Sequence, residues 1–300
     1  MLKETSVLTN SGIVGVKVQP DGFIAVSGLR PFIDTGLPAP LAIWKTYVNY
    51  REGDKVVRSG HGLCGVYDFS YDKALDPNYV ENDTMHSSTA EEVANNIFRF
   101  FPSIFPVREQ KRIIDFLRYH DLGESKAGDK PDDGSTSKDE KVSAELEEFI
   151  RKVQYLPSYI QEQLIRDFVM FEHADFACWE EESKRVMQFA KLCDKVDAPL
   201  AALLFEKQGR KGDLNYKLKN FGSITEQDQN YIDQMHESSQ AAVWTAHMLD
   251  KFRDYENLDL FAEIVVAACR DVRGFVFPGL YEFLKKNDIF SEDLRCKLTK

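Results

Sequence analysis

From residue 82 onward the apolar positions recur at the three-and-four spacing of a helix face, whereas before about residue 80 they alternate or scatter among glycines and prolines. In the first stretch Val14, Val16 and Val18 alternate, Pro20-Asp21-Gly22 supplies a turn, and Phe23 to Val26 runs back, which predicts a β-hairpin. A second hairpin is predicted from Ile43 to Tyr50 and Val56-Val57 across Glu52-Gly53-Asp54, although the aromatic run from Trp44 to Tyr50 also suits a helix. Gly28, Pro31, Gly36, Pro38 and Pro40 mark the connections as loops.

The helical part opens with a stripe of Ala90, Val93, Ala94, Ile97, Phe98 and Phe101, with Asp83 or Thr84 as its cap and Pro102 and Pro106 as its stop. A second helix is expected from about Val107 to the pair His120-Asp121, burying Ile113, Ile114 and Leu117. Lys126 to Lys141, rich in charge, glycine and proline, reads as a loop. Its composition alone fits a solvated linker; its place beside the pair suggests a lid, with Lys130, Lys138 and Lys141 as candidates to meet phosphate.

Further stripes are Val142, Leu146, Phe149, Ile150 and Val153; Ile160, Leu164, Phe168 and Phe171; and Val186, Phe189, Ala190 and Cys193. The acidic run Glu180 to Glu182 opens the third, where carboxylates suit the positive end of a helix dipole. KQGRKGD, from Lys207, reads as a solvated loop, and two more stripes follow: Met235, Ala242, Val243, Ala246 and Leu249, then Phe261, Ile264, Val265, Ala268 and Val272. The expectation is a mainly α protein: an N-terminal extension with β-hairpins over 1–80, a helical core over 81–210, and C-terminal helices packed on it over 211–300.

Composition narrows the partners. Three hundred residues, 43% hydrophobic, suffice for a large core, and a formal charge of −11 argues against a nucleic-acid polymer as partner. Five cysteines without a Cys-x-x-Cys pair, and a start without an apolar leader segment, predict reduced thiols in a cytoplasmic protein. Leu260 to Cys269, the most apolar run, is too short to span a bilayer, so no membrane partner is expected.

The candidate chemistry concentrates in His120 to Asp129, HDLGESKAGD. His120, Asp121 and Glu124 continue the inward stripe of Ile113, Ile114 and Leu117, and an imidazole and carboxylates turned into a core need a partner. For an isolated pair a buried His-Asp hydrogen bond is the commoner answer; a divalent cation is the other. Two further stripes shift the balance, because His86 stands one turn before Ala90 and Asp194 and Asp197 lie on or beside the Val186 stripe. His173, His236 and His247 have no comparable setting.

The order His86, His120-Asp121, Asp194 resembles the ligand set of the HD superfamily of metal-dependent phosphohydrolases, and HDLGESKAGD resembles its bacterial 5'-deoxynucleotidase branch. The similarity covers about Asp83 to Leu204 and implies an HD-domain helical bundle. It also implies that His86, His120, Asp121 and Asp194 hold one divalent ion. Mn, Co, Fe, Ni and Mg are all compatible, Mg being the poorest match to imidazole. The family's Asp-Lys-hydrophobic-Asp string favours Asp194 over Asp197, between which helical counting does not choose. Carried over from the deoxynucleotidases, Glu124 orients or deprotonates the metal-activated water and Asp129 protonates the leaving oxygen.

The branch pattern is incomplete, since Met85 stands where a Glu precedes the first histidine and no Arg-Trp pair occurs upstream. The substrate-binding residues are therefore unknown; Arg30, Lys45 and Arg58 are substitutes no better than ordinary surface charges. The expected activity is hydrolysis of a small phosphate ester, foremost a nucleoside 5'-monophosphate, and related nucleotidases suggest a homodimer. The alternatives are a nucleoside triphosphate or alarmone hydrolase, and a catalytically silent nucleotide-binding HD module that signals through its C-terminal helices.

Overall fold

The computed structural model describes residues 4–9, 12–19, 23–29, 58, 67–68, 73–74, 81–127, 137–173, 180–237 and 240–271. They divide into two units, Met1–Val57 with Asn82–Lys191, and Arg58–Glu81 with Leu192–Lys300. The predicted second hairpin, Arg30, Lys45, Lys130 and Asp129 lie outside the described residues.

The first unit begins with an antiparallel sheet of β1 (Glu4–Thr9), β2 (Gly12–Val18) and β3 (Ile24–Ser27), in the order β1-β2-β3. The predicted hairpin is β2 with β3, in the register Val16↔Val26 and Val18↔Ile24, and the Gln19 amide donates to Phe23 O at 2.9 Å. β1, which the sequence reading did not predict, pairs with the other side of β2, Val7 facing Val14. Val7, Val14, Val16 and Ile24 are buried, as the two-residue period requires. After β3, Gly28 adopts φ +77, and a Cβ there would stand 2.0 Å from Ile13 O.

Helix α1 (Asp83–Phe100) starts one residue earlier than the predicted caps allow: Asn82 is the cap, its Oδ1 accepting from the Met85 amide at 2.9 Å. Phe101, expected on the buried stripe, is half exposed because the helix has already ended. α2 (Val107–Leu117) follows Pro106 and stops at Leu117, short of the predicted end at the His-Asp pair. His120–Gly123 form a 3₁₀ turn, and the short α3 (Glu124–Ala127) leaves from it. Phe116 is fully buried, whereas Ile114 is only partly so.

The break that follows closes sooner than expected. α4 (Lys138–Val153) begins at Lys138 because Ser137 and Glu140 make a reciprocal capping box. α5 (Ser158–Glu172) starts after Pro157, and α6 (Glu181–Lys195) carries the stripe Val186, Phe189, Ala190 and Cys193, all buried. β1 packs on α4 and β3 on α5, while α1 packs on α2 and α4 on both α5 and the 3₁₀ turn. The core between them is aromatic: Phe98 stacks on Phe189 at 5.5 Å, Phe105 meets Phe189 edge-on at 5.0 Å, and Phe116 meets Phe171 at 5.0 Å. One buried ion pair crosses this core, Arg112 reaching Asp167 Oδ1 through Nη2 at 2.5 Å and through Nε at 3.1 Å.

In the second unit a two-stranded pair, β4 (Tyr67–Asp68) and β5 (Lys73–Ala74), accompanies α7 (Asp197–Lys207), α8 (Leu214–Phe221), α9 (Glu226–Glu237), α10 (Gln240–Lys251) and α11 (Leu258–Asp271). The stripe that joined Met235 to Ala242 in the sequence is split between α9 and α10. α7 packs on α10, and Glu206 accepts from the Gln240 and Ala241 amides, satisfying two donors at the start of α10. Among the described residues, no helix is long and apolar enough to cross a membrane.

Candidate metal centre

The Asn82 cap sets the phase of α1, and with it His86, whose amide donates to Asn82 O at 2.9 Å. His86 therefore enters the first full turn pointing inward and is 2% exposed. His120 opens the 3₁₀ turn and is also buried; its Nδ1 lies 2.7 Å from Leu117 O. A carbonyl only accepts, so Nδ1 carries the proton and Nε2 keeps its lone pair for another partner. That ring is wedged against Phe171 edge-on, at 5.6 Å between centroids, and against Phe116 at 6.3 Å.

Asp121 joins the two imidazoles. Its Oδ1 lies 3.2 Å from His120 Nε2 and its Oδ2 lies 3.7 Å from His86 Nε2, and the two rings are 5.5 Å apart. Asp194 lies on the last turn of α6, the helix that contributes Phe189 and Ala190 to the first unit's core, and is 3% exposed. Ligand atoms of His86, His120 and Asp194 all lie within 4.8 Å of one another. A second grouping at that spacing joins Asp83, Asp121 and Glu124. Of the two candidate aspartates of the Asp-Lys-Val-Asp string, Asp194 is the one that groups with both histidines.

Two helices are tied together beside these ligands. Arg118 of the α2 end reaches Glu91 of α1 through Nη2 at 2.5 Å and Nε at 3.1 Å, a two-pronged pair placed five residues after His86 and two before His120. Cys193, next to Asp194, is fully buried, and burial pushes its thiol well above the ordinary value. It stays neutral and offers no thiolate.

Glu124 is buried at the start of α3, and α4 supplies its surroundings. Gly123 lies so close to α4 that a Cβ on it would stand 2.6 Å from Glu145 O, which explains why glycine occupies the fourth place of HDLGE. Glu145, absent from the sequence reading, has its carboxyl raised to about 7, chiefly by burial; Glu172 and Asp121 push the same way, while Lys141 and Lys191 oppose. Lys191 spans Glu172 Oε1 at 3.0 Å and the Phe171 ring at 3.8 Å, on a ring that also packs against His120. Of the three lysines singled out in the sequence, Lys138 is exposed and Lys141 lies 3.8 Å from Glu124 Oε1.

The donor set fits a divalent ion. Two imidazoles, one held by Leu117 O in the tautomer that a metal requires, and buried carboxylates form a mixed nitrogen and oxygen site of the kind taken by first-row divalent cations. A backbone carbonyl behind a metal-ligating imidazole is also the usual outer partner.

Residues 93–236 match a family model described as HD domain, a span that includes His120, Asp121, Glu124 and Asp194 and begins seven residues after His86. No curated protein and no solved structure matches the chain. The matched stretch, 144 of the 300 residues, is similar to the HD domain, and the mainly helical fold that carries it is consistent with one.

Proposed function

We propose that the chain is a divalent-metal-dependent phosphohydrolase acting on a small phosphate ester, foremost a nucleoside 5'-monophosphate. The observation that carries this reading is the meeting of His86, His120 and Asp194 within one ligand sphere, with Asp121 beside both imidazoles. These four residues would hold the ion. Bound there, a divalent cation lowers the pKa of a water and offsets charge on a phosphoryl group.

The chain's own residues divide the remaining work. His120 is fixed by Leu117 O and Phe171, so its Nε2 is aimed before any ligand arrives. Glu124, beside Asp121 and Asp83, is suited to orient the attacking water and take its proton. Asp129, five residues on, is assigned the protonation of the leaving oxygen from the resemblance to the deoxynucleotidase branch. The net charge of −11 fits a small substrate drawn in by local cations better than a polymer.

The test is phosphate release from a panel of nucleoside mono-, di- and triphosphates and simple esters, with Mn or Co added. Orthophosphate from a 5'-monophosphate is the expected product. Pyrophosphate or triphosphate as product would move the assignment to the nucleoside triphosphate or alarmone hydrolases, and no release from any ester would overturn it.

A further inference from the structure

Helix α4 carries Lys141 and Glu145 one turn apart, on the side that meets the HDLGE segment. Their placement leaves little freedom. The Ser137 capping box sets the first residue of the helix, Val142, Leu146 and Phe149 bury the adjoining face, and Gly123 rests against the Glu145 carbonyl. In this frame Lys141 Nζ lies 3.8 Å from Glu124 Oε1 and 3.6 Å from Glu145 Oε1. Both separations exceed a hydrogen bond, so one ammonium is shared between two carboxyl groups.

The commoner reading of such a pair is an i,i+4 ion pair on a helix surface, weakly stabilising and without consequence elsewhere. Burial argues against it here. The Glu145 side chain is 6% exposed and its Oε1 accepts no hydrogen bond among the described residues, so the group is poorly placed to serve the helix alone. A stabilising pair would be cheaper at the surface. The Lys141 side chain, 29% exposed, would turn to solvent if nothing behind it held it.

We propose that Lys141 is a positioning residue for Glu124, and that Glu145 holds Lys141 in the place from which it acts. The inference rests on the phosphohydrolase reading, in which Glu124 works on the water. A carboxylate among other carboxylates is drawn toward the nearest cation; Lys141 sets the direction in which Glu124 Oε1 is drawn, and Glu145, anchored through the helix backbone, fixes Lys141.

The test compares Lys141→Met, Lys141→Arg and Glu145→Gln with the parent chain in four measurements: thermal midpoint, Mn affinity, steady-state phosphate release from a nucleoside 5'-monophosphate, and the side-chain carboxyl ¹³C resonance of Glu124 in the metal-free protein. Lys141→Met is expected to remain folded, to keep its Mn affinity within about 2-fold, and to lose about 10- to 100-fold in kcat with KM little changed. Lys141→Arg restores most of that loss. Glu145→Gln shows a smaller loss, and the Glu124 resonance moves in Lys141→Met and returns in Lys141→Arg.

An active parent whose Lys141→Met variant is as active, or whose loss Arg does not repair, overturns the proposal while the phosphohydrolase reading stands. So does a loss matched by an equal loss of Mn affinity, which would mean a collapsed site. If the parent releases no phosphate from any ester, the reading falls. The resonance then decides the contact separately: a shift on removing Lys141 supports the positioning of Glu124, and an unmoved resonance overturns it.

Discussion

His120 Nδ1 donates to Leu117 O at 2.7 Å, a bond across three residues that is made because α2 ends at Leu117 and the chain tightens into a 3₁₀ turn. Had the α-helix continued, that carbonyl would have been taken by a backbone amide four residues on. The early end of the helix thus produces the hydrogen bond that fixes the imidazole. His120→Ala and Asp194→Ala are expected to lower Mn affinity by more than about 100-fold, beyond the range typical of outer partners. Titration of the metal-free protein with Mn measures this, and Asp197→Ala serves as the control: loss there with retention in Asp194→Ala would transfer the ligand role to Asp197.

Glu124→Gln keeps the shape of the side chain and removes its ability to take a proton. Phosphate release is expected to fall by about 10²- to 10⁴-fold with Mn binding retained. Phosphate release unchanged in this variant would remove Glu124 from the proton transfer, whereas nucleotide binding by a parent chain that releases no phosphate would favour a signalling module over an enzyme.

Gly123→Ala places a methyl group against the Glu145 carbonyl, where 2.6 Å is available. Relief requires the 3₁₀ turn and α4 to separate. The expected cost is about 1–3 kcal/mol in denaturant unfolding, together with weaker Mn binding, because His120 and Asp121 belong to that turn. An unchanged midpoint would show that the two segments already stand further apart.

The carboxyl of Glu145, raised from 4.5 to about 7, makes stability depend on pH. Its neutral form is the one the fold favours, so the contribution is fully present below pH 4.5 and is lost as pH rises through about 7. Glu145→Gln, which mimics the neutral form, should match the metal-free parent near pH 4.5 and exceed it at pH 8. The shift sets an upper bound of about 3 kcal/mol on the difference. Thermal midpoints across that range test the sign, and a gap that shrinks toward pH 8 would contradict it.

Asp167 is buried under the two-pronged grip of Arg112 and also accepts from Gln163 Nε2 at 2.8 Å. Asp167→Ala leaves the guanidinium without its counter-charge inside the first unit. A loss of about 3–5 kcal/mol is expected in urea unfolding, whereas Lys111→Ala, which breaks an exposed pair with Asp115, should cost under about 1 kcal/mol.

The periodic features were legible in the sequence: the stripes of α4 and α6 are buried position for position, and the β2–β3 hairpin forms where alternation and turn residues placed it. Local ambiguities were not. Asn82, Asp83 and Thr84 are all competent caps, and only the hydrogen bond to Met85 distinguishes Asn82. Spacings of three and four satisfy an α-helix and a 3₁₀ turn alike, so the end of α2 was invisible, as was the replacement of Ile114 by Phe116 in the core. For the candidate site, His86, His120, Asp121 and Asp194 were singled out by their places on or beside apolar stripes together with the resemblance to the HD superfamily. Glu145, Lys191 and the Glu91–Arg118 pair could not, because their roles come from contacts across long stretches of chain. A signal for Glu145 did exist: a Lys-Glu pair at i,i+4 bordering an apolar stripe, in the first helix after the HDLGE segment.

The Glu91–Arg118 pair fastens the stem of one histidine to the stem of the other without touching either ring. Many small metalloproteins are unfolded until their ion arrives, so that chelation melts them. Here the gap between the two imidazoles is bridged by scaffold, which makes the empty protein a finished receptacle. Chelators should therefore strip the ion and leave the helices standing, and exchanging one cation for another should proceed without passing through an unravelled chain.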